Sequence, residues 1–133
     1  MSYHYSRIIN QPFDEAVQTT SEALKRHGFG ILSEIDVQAT LKQKLDVEFR
    51  PYRILGACNP NFAHQALQAE DKIGTMLPCN VIIQQRDDRS VEVSAVDPVA
   101  SMQAVDNPAL MDIARQIQGM LRTVVDEVGT PAA

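Results

Sequence analysis

Three dipeptides in which Asn or Asp precedes Pro constrain the fold of this chain more than any other feature. Asn59-Pro60 and Asp97-Pro98 each follow an apolar run typical of a strand, and Asn107-Pro108 precedes the longest helical pattern. An Asn or Asp side chain caps a helix by accepting a backbone N–H, and proline suits the first helical turn, where its missing N–H would have no partner. The sequence therefore predicts short units in which strands turn directly into helices.

Apolar periodicity predicts the other elements. The predicted strands are residues 2–9, 29–35, 52–58, 81–85 and 91–96, and with the helices they give the order β-α-β-α-β-α-β-β-α. The charged run 86–89 joins the last two strands as a hairpin, which predicts a mixed, mainly antiparallel sheet covered by helices, an α+β sandwich of two layers. A doubly wound α/β sheet is the alternative, but the hairpin and the modest length disfavour it. We expect one domain over residues 1–128 and a flexible tail over residues 129–133.

Composition limits the partners. With 12 Lys and Arg against 17 Asp and Glu, the 133-residue chain carries a formal net charge of −5, and 5% of its residues are aromatic. An acidic surface repels phosphate backbones, and few aromatic rings are present to stack on bases, so we expect no nucleic-acid partner. No apolar run approaches the roughly 20 residues that cross a bilayer, and the N-terminus lacks the apolar core of a signal peptide. We therefore expect no membrane partner and a cytoplasmic protein with reduced cysteines.

Four segments resemble the domain-of-unknown-function family 302. They are GFGILSEIDV at residues 28–37, YRILGACNP at 52–60, LPCNV at 77–81 and VSAVDP at 93–98. The similarity extends over residues 13–128, which is nearly the whole chain. The resemblance implies a compact two-layer α+β domain that is dimeric in solution, and it implies no particular activity and no catalytic residues.

The two cysteines, Cys58 and Cys79, lie where predicted strands meet turns or helix starts. If the strands that end at Asp36, Cys58 and Val96 run in the same direction, the capped helices that follow them begin at one edge of the sheet. Cys79 lies at that edge too, because its strand opposes its hairpin partner. Ligands favour such positions outside the carboxyl ends of strands. We therefore expect a single ligand-binding cleft lined by Asp36, Cys58, Asn59, Cys79, Asn80 and Asp97.

Cys58 allows two interpretations. A thiol at the start of a helix faces the positive end of the helix dipole, which favours the thiolate and makes a better nucleophile. Cysteine is also among the most buried residue types and more often serves as a small apolar filler. Two thiols with no histidine at ligand spacing fall short of the four ligands of a closed zinc site, so we expect no metal and no cofactor. Asp36 and Asp97 could form a carboxylate pair for acid–base chemistry, but helix capping alone explains both.

Three functions stay open. The first is a small module that binds a small anionic or thiol-reactive ligand in the cleft at Cys58 and Cys79. The second is a homodimeric structural or interaction domain in which the cysteines merely pack and the last helix or an exposed strand edge joins the two copies. The third is a thiol-based redox enzyme or sensor with Cys58 as its nucleophile. We favour the three functions in the order first, second, third.

Overall fold

A computed structural model describes residues 2–129 of the chain. The strands are β1 (His4–Ile9), β2 (Gly30–Asp36), β3 (Tyr52–Cys58), β4 (Cys79–Gln85) and β5 (Val91–Val96). The helices are α1 (Phe13–Arg26), α2 (Val37–Leu45), α3 (Pro60–Ala69), α4 (Pro98–Ser101) and α5 (Pro108–Glu127), with a 3₁₀ helix over Asp71–Met76 that periodicity did not predict. Within residues 2–129, no helix combines the length and apolar character that a bilayer span requires. Of the expected tail, residues 130–133 lie outside the described residues.

The five strands form one sheet in the order β1-β5-β4-β3-β2, and all four pairings are antiparallel. The α+β sandwich is therefore confirmed, and the doubly wound alternative is wrong because that fold needs parallel neighbours. The parallel part of the expected mixed sheet is absent from the strands that the structure describes. Strands β3 and β5 run in one direction, and β1, β2 and β4 run in the other.

The direction of β2 corrects one expectation about the site. Because β2 pairs antiparallel with β3, Asp36 at the end of β2 is in register with Arg53 near the start of β3, whereas Gly30 is in register with Cys58. Asp36 and Cys58 therefore lie at opposite ends of the sheet. The expectation that both strands run in the same direction is wrong, because α2 belongs to a connection between antiparallel neighbours and does not carry the chain to a parallel strand.

Helices α1, α3 and α5 lie on one face of the sheet, here called the inner face. Alternate strand residues such as Leu55, Val81 and Val93 are fully buried there. Helix α5 packs against both α1 and α3, and its buried stripe consists of Leu110, Ile113, Ala114, Ile117, Leu121, Val124 and Val125. Burying one such aliphatic side chain contributes about 1.5–3 kcal/mol. The apolar stripe of the last helix therefore belongs to the core and is not free to join a second copy.

The opposite face of the sheet, here called the outer face, carries polar residues such as Ser94, Gln84 and Glu92 together with a group of isoleucines. Ile35, Ile54 and Ile82 are in register across β2, β3 and β4, so they form a row on this face. Ile35 is 46% exposed, and Ile8 on β1 is 50% exposed. The outer face therefore presents apolar side chains that none of the helices α1, α3 and α5 covers.

The predicted helix caps act as expected. Each accepts at least one backbone N–H from its own helix: Asp36 from Ala39, Asn59 from Phe62, Asp97 from Val99 and Ala100, and Asn107 from Ala109 and Leu110. These bonds satisfy N–H groups that have no partner within the helix. Two of the caps, Asn59 and Asp97, follow β3 and β5 at the same end of the sheet. Local sequence therefore fixes where the chain leaves the sheet beside the cysteines.

Candidate functional site

The two cysteines meet where β3 ends and β4 begins. Ala57 is in register with Cys79, so Cys58 lies one residue beyond that pair, and strand spacing places the two cysteine Cα atoms roughly 6 Å apart. Strand β4 begins at Cys79 itself, two residues earlier than predicted, directly after a cis Leu77–Pro78 bond. Both thiols are free. Two residues that are 21 positions apart in sequence are thus neighbours in the sheet.

Both cysteines line a small, largely enclosed cavity between the sheet, α3 and α5. Its walls are almost entirely apolar, and they consist of Phe29, Ala57, Cys58, Asn59, Phe62, Ala63, Ala66, Leu77, Pro78, Cys79, Met102, Ile113 and Ile117. The cavity has a volume of about 20 Å³, slightly above the roughly 10–15 Å³ that a single water molecule requires. A single atom or water-sized group fits this cavity as it stands, and anything larger must displace a wall.

The two thiols differ in their surroundings. Cys79 is 6% exposed, and burial together with the nearby charge of Cys58 raises the pKa of Cys79 from 9.0 to about 11. Burial is the larger cause, because an apolar environment disfavours the charged thiolate. Cys58 is half-buried and directly precedes Asn59, the cap of α3. Cys58 is therefore the more accessible thiol, and Cys79 is a neutral group at the back of the cavity.

Of the six residues expected to share a cleft, the structure brings Cys58, Asn59 and Cys79 together at the cavity. Asn80 is exposed and in register with Gly56 on the outer face, because successive strand residues point to opposite faces of the sheet. Asp36 lies at the other end of the sheet, as described above. Neither Asn80 nor Asp36 faces the cavity.

Asp97 lies at the same end of the sheet as Cys58 but serves as a structural anchor. It is 7% exposed. Besides capping α4, its carboxylate accepts both hydrogen bonds from the Gln118 side chain, at 3.0 and 2.9 Å, and lies 3.6 Å from the Arg122 guanidinium. These partners occupy the carboxylate and tie α4 to α5. Because Asp36 lies at the far end of the sheet, the two residues do not form the carboxylate pair considered from the sequence.

Several cavity residues were not predicted as part of the site. Met102, at the end of α4, is 2% exposed, and Phe29 and Phe62 form further walls. The sequence does carry one usable signal for Met102, because it follows the Asp97-Pro98 cap by about one helical turn. Its position next to the cysteines depends on how α4 packs on the sheet, and no local pattern predicts that.

A larger pocket of about 370 Å³ lies at the opposite end of the sheet, and it is open and polar. Its lining consists of Arg50, Gln84, Arg86, Asp87, Asp88 and Glu92. Arg50 donates to Gln84 at 2.9 Å, and Arg86 lies 3.4 Å from Glu92. The positive charge of Arg86 is therefore compensated within the pocket, and water reaches all of these groups. The cysteine cavity is the better candidate, because enclosure strengthens each contact with a ligand.

Comparisons with known proteins agree with this fold. The sequence matches the family model described as "Domain of unknown function DUF302" over residues 5–128. A solved structure with a similar fold is that of an uncharacterized conserved DUF302 protein from Bacillus stearothermophilus, with a TM-score of 0.90 and 28% sequence identity over 96% of this chain and 99% of that chain. No curated protein matches the sequence. The comparisons therefore identify a family and a fold, and the chemistry has to be argued from the cavity.

Proposed function

We propose that this chain, which belongs to the DUF302 family, is a small-ligand-binding module whose site is the cysteine cavity. The observation that supports the proposal is that two cysteines, both free, contribute to the lining of one largely enclosed, apolar cavity. An isolated structural cysteine needs no such neighbour. The proposal includes a cytoplasmic setting, in which both thiols stay reduced.

Of the two ligand classes expected from the sequence, the cavity favours the thiol-reactive one. An anion would have to lose its water among apolar walls, which is costly without paired donors. The cap of α3 also competes for the donors at that helix end, because the Asn59 side chain already accepts the Phe62 N–H at 3.3 Å. Sulfur is the reactive group that the cavity offers. The ligand class that fits it best therefore binds to sulfur.

A trivalent arsenical tests this proposal. Arsenite, As(OH)₃, carries no organic group and reacts with two neighbouring thiols, so that two As–S bonds form and two arsenic-bound hydroxyls leave with the two thiol protons as two water molecules. We expect one adduct per chain by intact mass, with Cys58 and Cys79 both blocked. We also expect the melting temperature to rise by several degrees, because a ligand that binds the folded state stabilises it.

Cys58→Ser is the matched control for this experiment, because it removes the accessible thiol from a half-buried position. We expect the variant to retain its fold and to lose the bridged adduct. If the wild-type protein gives no adduct, or if it gives two arsenicals on separate cysteines, the thiols do not share a site and the proposed function is wrong.

A second candidate function, a homodimeric interaction domain, is favoured by the outer face. The area of the outer face follows from strand geometry. Five strands spaced about 4.8 Å apart, each about six residues long with a rise of about 3.3 Å per residue, cover roughly 480 Å². Two apposed copies would therefore bury roughly 1,000 Å², the lower bound for a stable interface. The acidic Glu92 on this face is paired with Arg86 at 3.4 Å. The Glu92 carboxylates of two apposed copies would therefore not face each other as unpaired negative charges. We infer that the outer face joins two copies and that neither the last helix nor a strand edge does.

The dimer is tested by Ile82→Glu, which puts a charge in the middle of the isoleucine row. We expect wild-type protein to sediment with the mass of two chains and Ile82→Glu with the mass of one. The control is Gln116→Glu, which adds the same charge at an exposed position of α5 and should leave the dimer intact. A wild-type mass of one chain would refute this candidate. If Gln116→Glu were monomeric, the interface would lie on α5 and not on the outer face.

A further inference from the structure

A surface pocket adjoins the cysteine cavity. It is open, it has a volume of about 440 Å³, and its lining consists of His27, Phe62, Arg115, Gln116, Gly119, Met120 and Thr123. Phe62 is also a wall of the cysteine cavity, so its side chain stands between the enclosed space and the open one. Of the ten residues of α3, which carries Phe62, Ala66 is the one that is buried. Displacing the Phe62 side chain therefore joins the two spaces at little cost to the core.

The two spaces differ in polarity. The walls of the cysteine cavity are almost entirely apolar, whereas the open pocket has the exposed side chains of Arg115, Gln116 and Thr123, and its lining includes no carboxylate. Arg115 is 3.1 Å from Asp112, but the two side chains are 63% and 74% exposed. An ion pair in water is weak, which leaves the guanidinium able to bind another anion. The open pocket is therefore the positively charged end of a site whose other end is apolar.

Gly119 keeps the open pocket free. It lies in the middle of α5, a helix of 20 residues, where glycine destabilises a helix relative to alanine. Packing does not require it. Among the described residues, no heavy atom beyond its chain neighbours and the backbone of its own helix lies within 4 Å of the position that a Cβ would occupy. A larger side chain would instead fill the pocket, so a ligand explains this glycine better than the fold does.

We propose that the two spaces form one site for a small amphipathic carboxylate, with its charged end at Arg115 in the open pocket and its apolar tail inserted past Phe62 into the cysteine cavity. The inference rests on the proposed function, because it names a ligand class of the same site. The charged end stays in water, so no anion has to be placed among the apolar walls. Burial of the tail is favourable. A tail that carries a thiol-reactive group would bring that group to the cysteines, which connects this ligand class with the one favoured above.

Size and charge limit the ligand. The cavity of about 20 Å³ holds one water-sized group as it stands, and displacement of Phe62 frees the space of a phenyl ring, which suits a short alkyl tail. A cationic amine with the same tail is repelled by Arg115, and a neutral alcohol lacks the charge that Arg115 attracts. The site is therefore selective for short-chain fatty acids over the corresponding amines and alcohols.

Titration of the full chain with butanoate, hexanoate and octanoate, followed by nuclear magnetic resonance, tests the site. The affinity should rise about fourfold with each added methylene group, because each one buries further apolar surface. The backbone amide signals of Phe62 and Gly119 should shift on addition of octanoate. Octan-1-ol and octylamine have the same tail without the carboxylate, and they should bind at least about threefold more weakly.

Three variants locate the two ends of the ligand. Arg115→Gln should weaken octanoate binding about three- to fivefold and leave octan-1-ol binding unchanged. The control Lys44→Gln, at an exposed position of α2, should change neither. Ala63→Leu narrows the cysteine cavity and should abolish the gain in affinity from butanoate to octanoate. Gly119→Leu fills the open pocket and should abolish binding at an unchanged or higher melting temperature, because leucine favours a helix more than glycine does.

The opposite results overturn the inference. It is wrong if octanoate binds no more tightly than butanoate, if Arg115→Gln and Lys44→Gln behave alike, or if Gly119→Leu binds like the wild type. Should Ala63→Leu fail to fold, the chain-length series and Gly119→Leu still decide. Failure of carboxylate binding with intact arsenite bridging would reject only this ligand class. Failure of both would reject the proposed function as well.

Discussion

Replacing Asp97 with alanine is expected to lower the free energy of unfolding by about 2–4 kcal/mol. The loss of two capping hydrogen bonds accounts for about 1–2 kcal/mol. The Gln118 amide, whose two contacts with the carboxylate are 3.0 and 2.9 Å, is left without its acceptor in a partly buried position, which adds about 1–2 kcal/mol. Urea denaturation measures this change in the free energy of unfolding, provided that its dependence on urea concentration (the m-value) is the same in the variant and the wild type.

The matched control for this prediction is Asp36→Ala. Asp36 caps α2 in the same way, through the Ala39 N–H at 2.9 Å, but its side chain is 41% exposed and its ion pair with Arg53 is long, at 3.5 Å. We expect that variant to lose about 0.5–1 kcal/mol. Equal losses in the two variants would contradict the assignment of Asp97 as the buried anchor between α4 and α5.

Local sequence predicted the elements of this fold well, because their signals are local. The Asn59-Pro60 and Asp97-Pro98 dipeptides mark the starts of α3 and α4, and both caps form the expected hydrogen bonds. The charged run 86–89 correctly predicted the hairpin between β4 and β5. The 3₁₀ helix over Asp71–Met76 was missed, because two turns of that kind are too short to show an apolar period of their own.

The arrangement of the site was only partly predictable. That Cys58 and Cys79 are neighbours followed from the hairpin, since the hairpin fixes the direction of β4 relative to β5. The position of Asp36 depended on whether β2 runs parallel or antiparallel to β3, and that is decided by strand order in the whole sheet. Asn80 was placed at the cavity because its neighbour Cys79 is there, although alternation along β4 turns it to the outer face.

The burial of Cys79 has a measurable consequence for its reactivity. The pKa of Cys79 is raised from 9.0 to about 11, and two pKa units correspond to an about 100-fold smaller thiolate population at neutral pH. Alkylation of Cys79 is therefore expected to be at least about 100-fold slower in the folded protein than in the unfolded chain, since the thiolate is the nucleophile. The same shift favours folding below pH 9.0, and this contribution is lost as the pH rises through about 11, because the unfolded thiol loses its proton first.

The central claim, that Cys58 and Cys79 both line one largely enclosed apolar cavity with Cys79 as its buried member, is tested most directly by following iodoacetamide alkylation of each cysteine against pH in the native protein by peptide mass spectrometry. The half-buried Cys58 should be modified first, and Cys79 should follow with a midpoint near pH 11. In Cys58→Ser that midpoint should fall but stay above 9.0, because burial is the larger cause of the shift. The account would be contradicted if Cys79 in the wild type were alkylated with a pH midpoint near 9.0 and as fast as in the unfolded chain. Cys79 would then not be buried in an enclosed cavity.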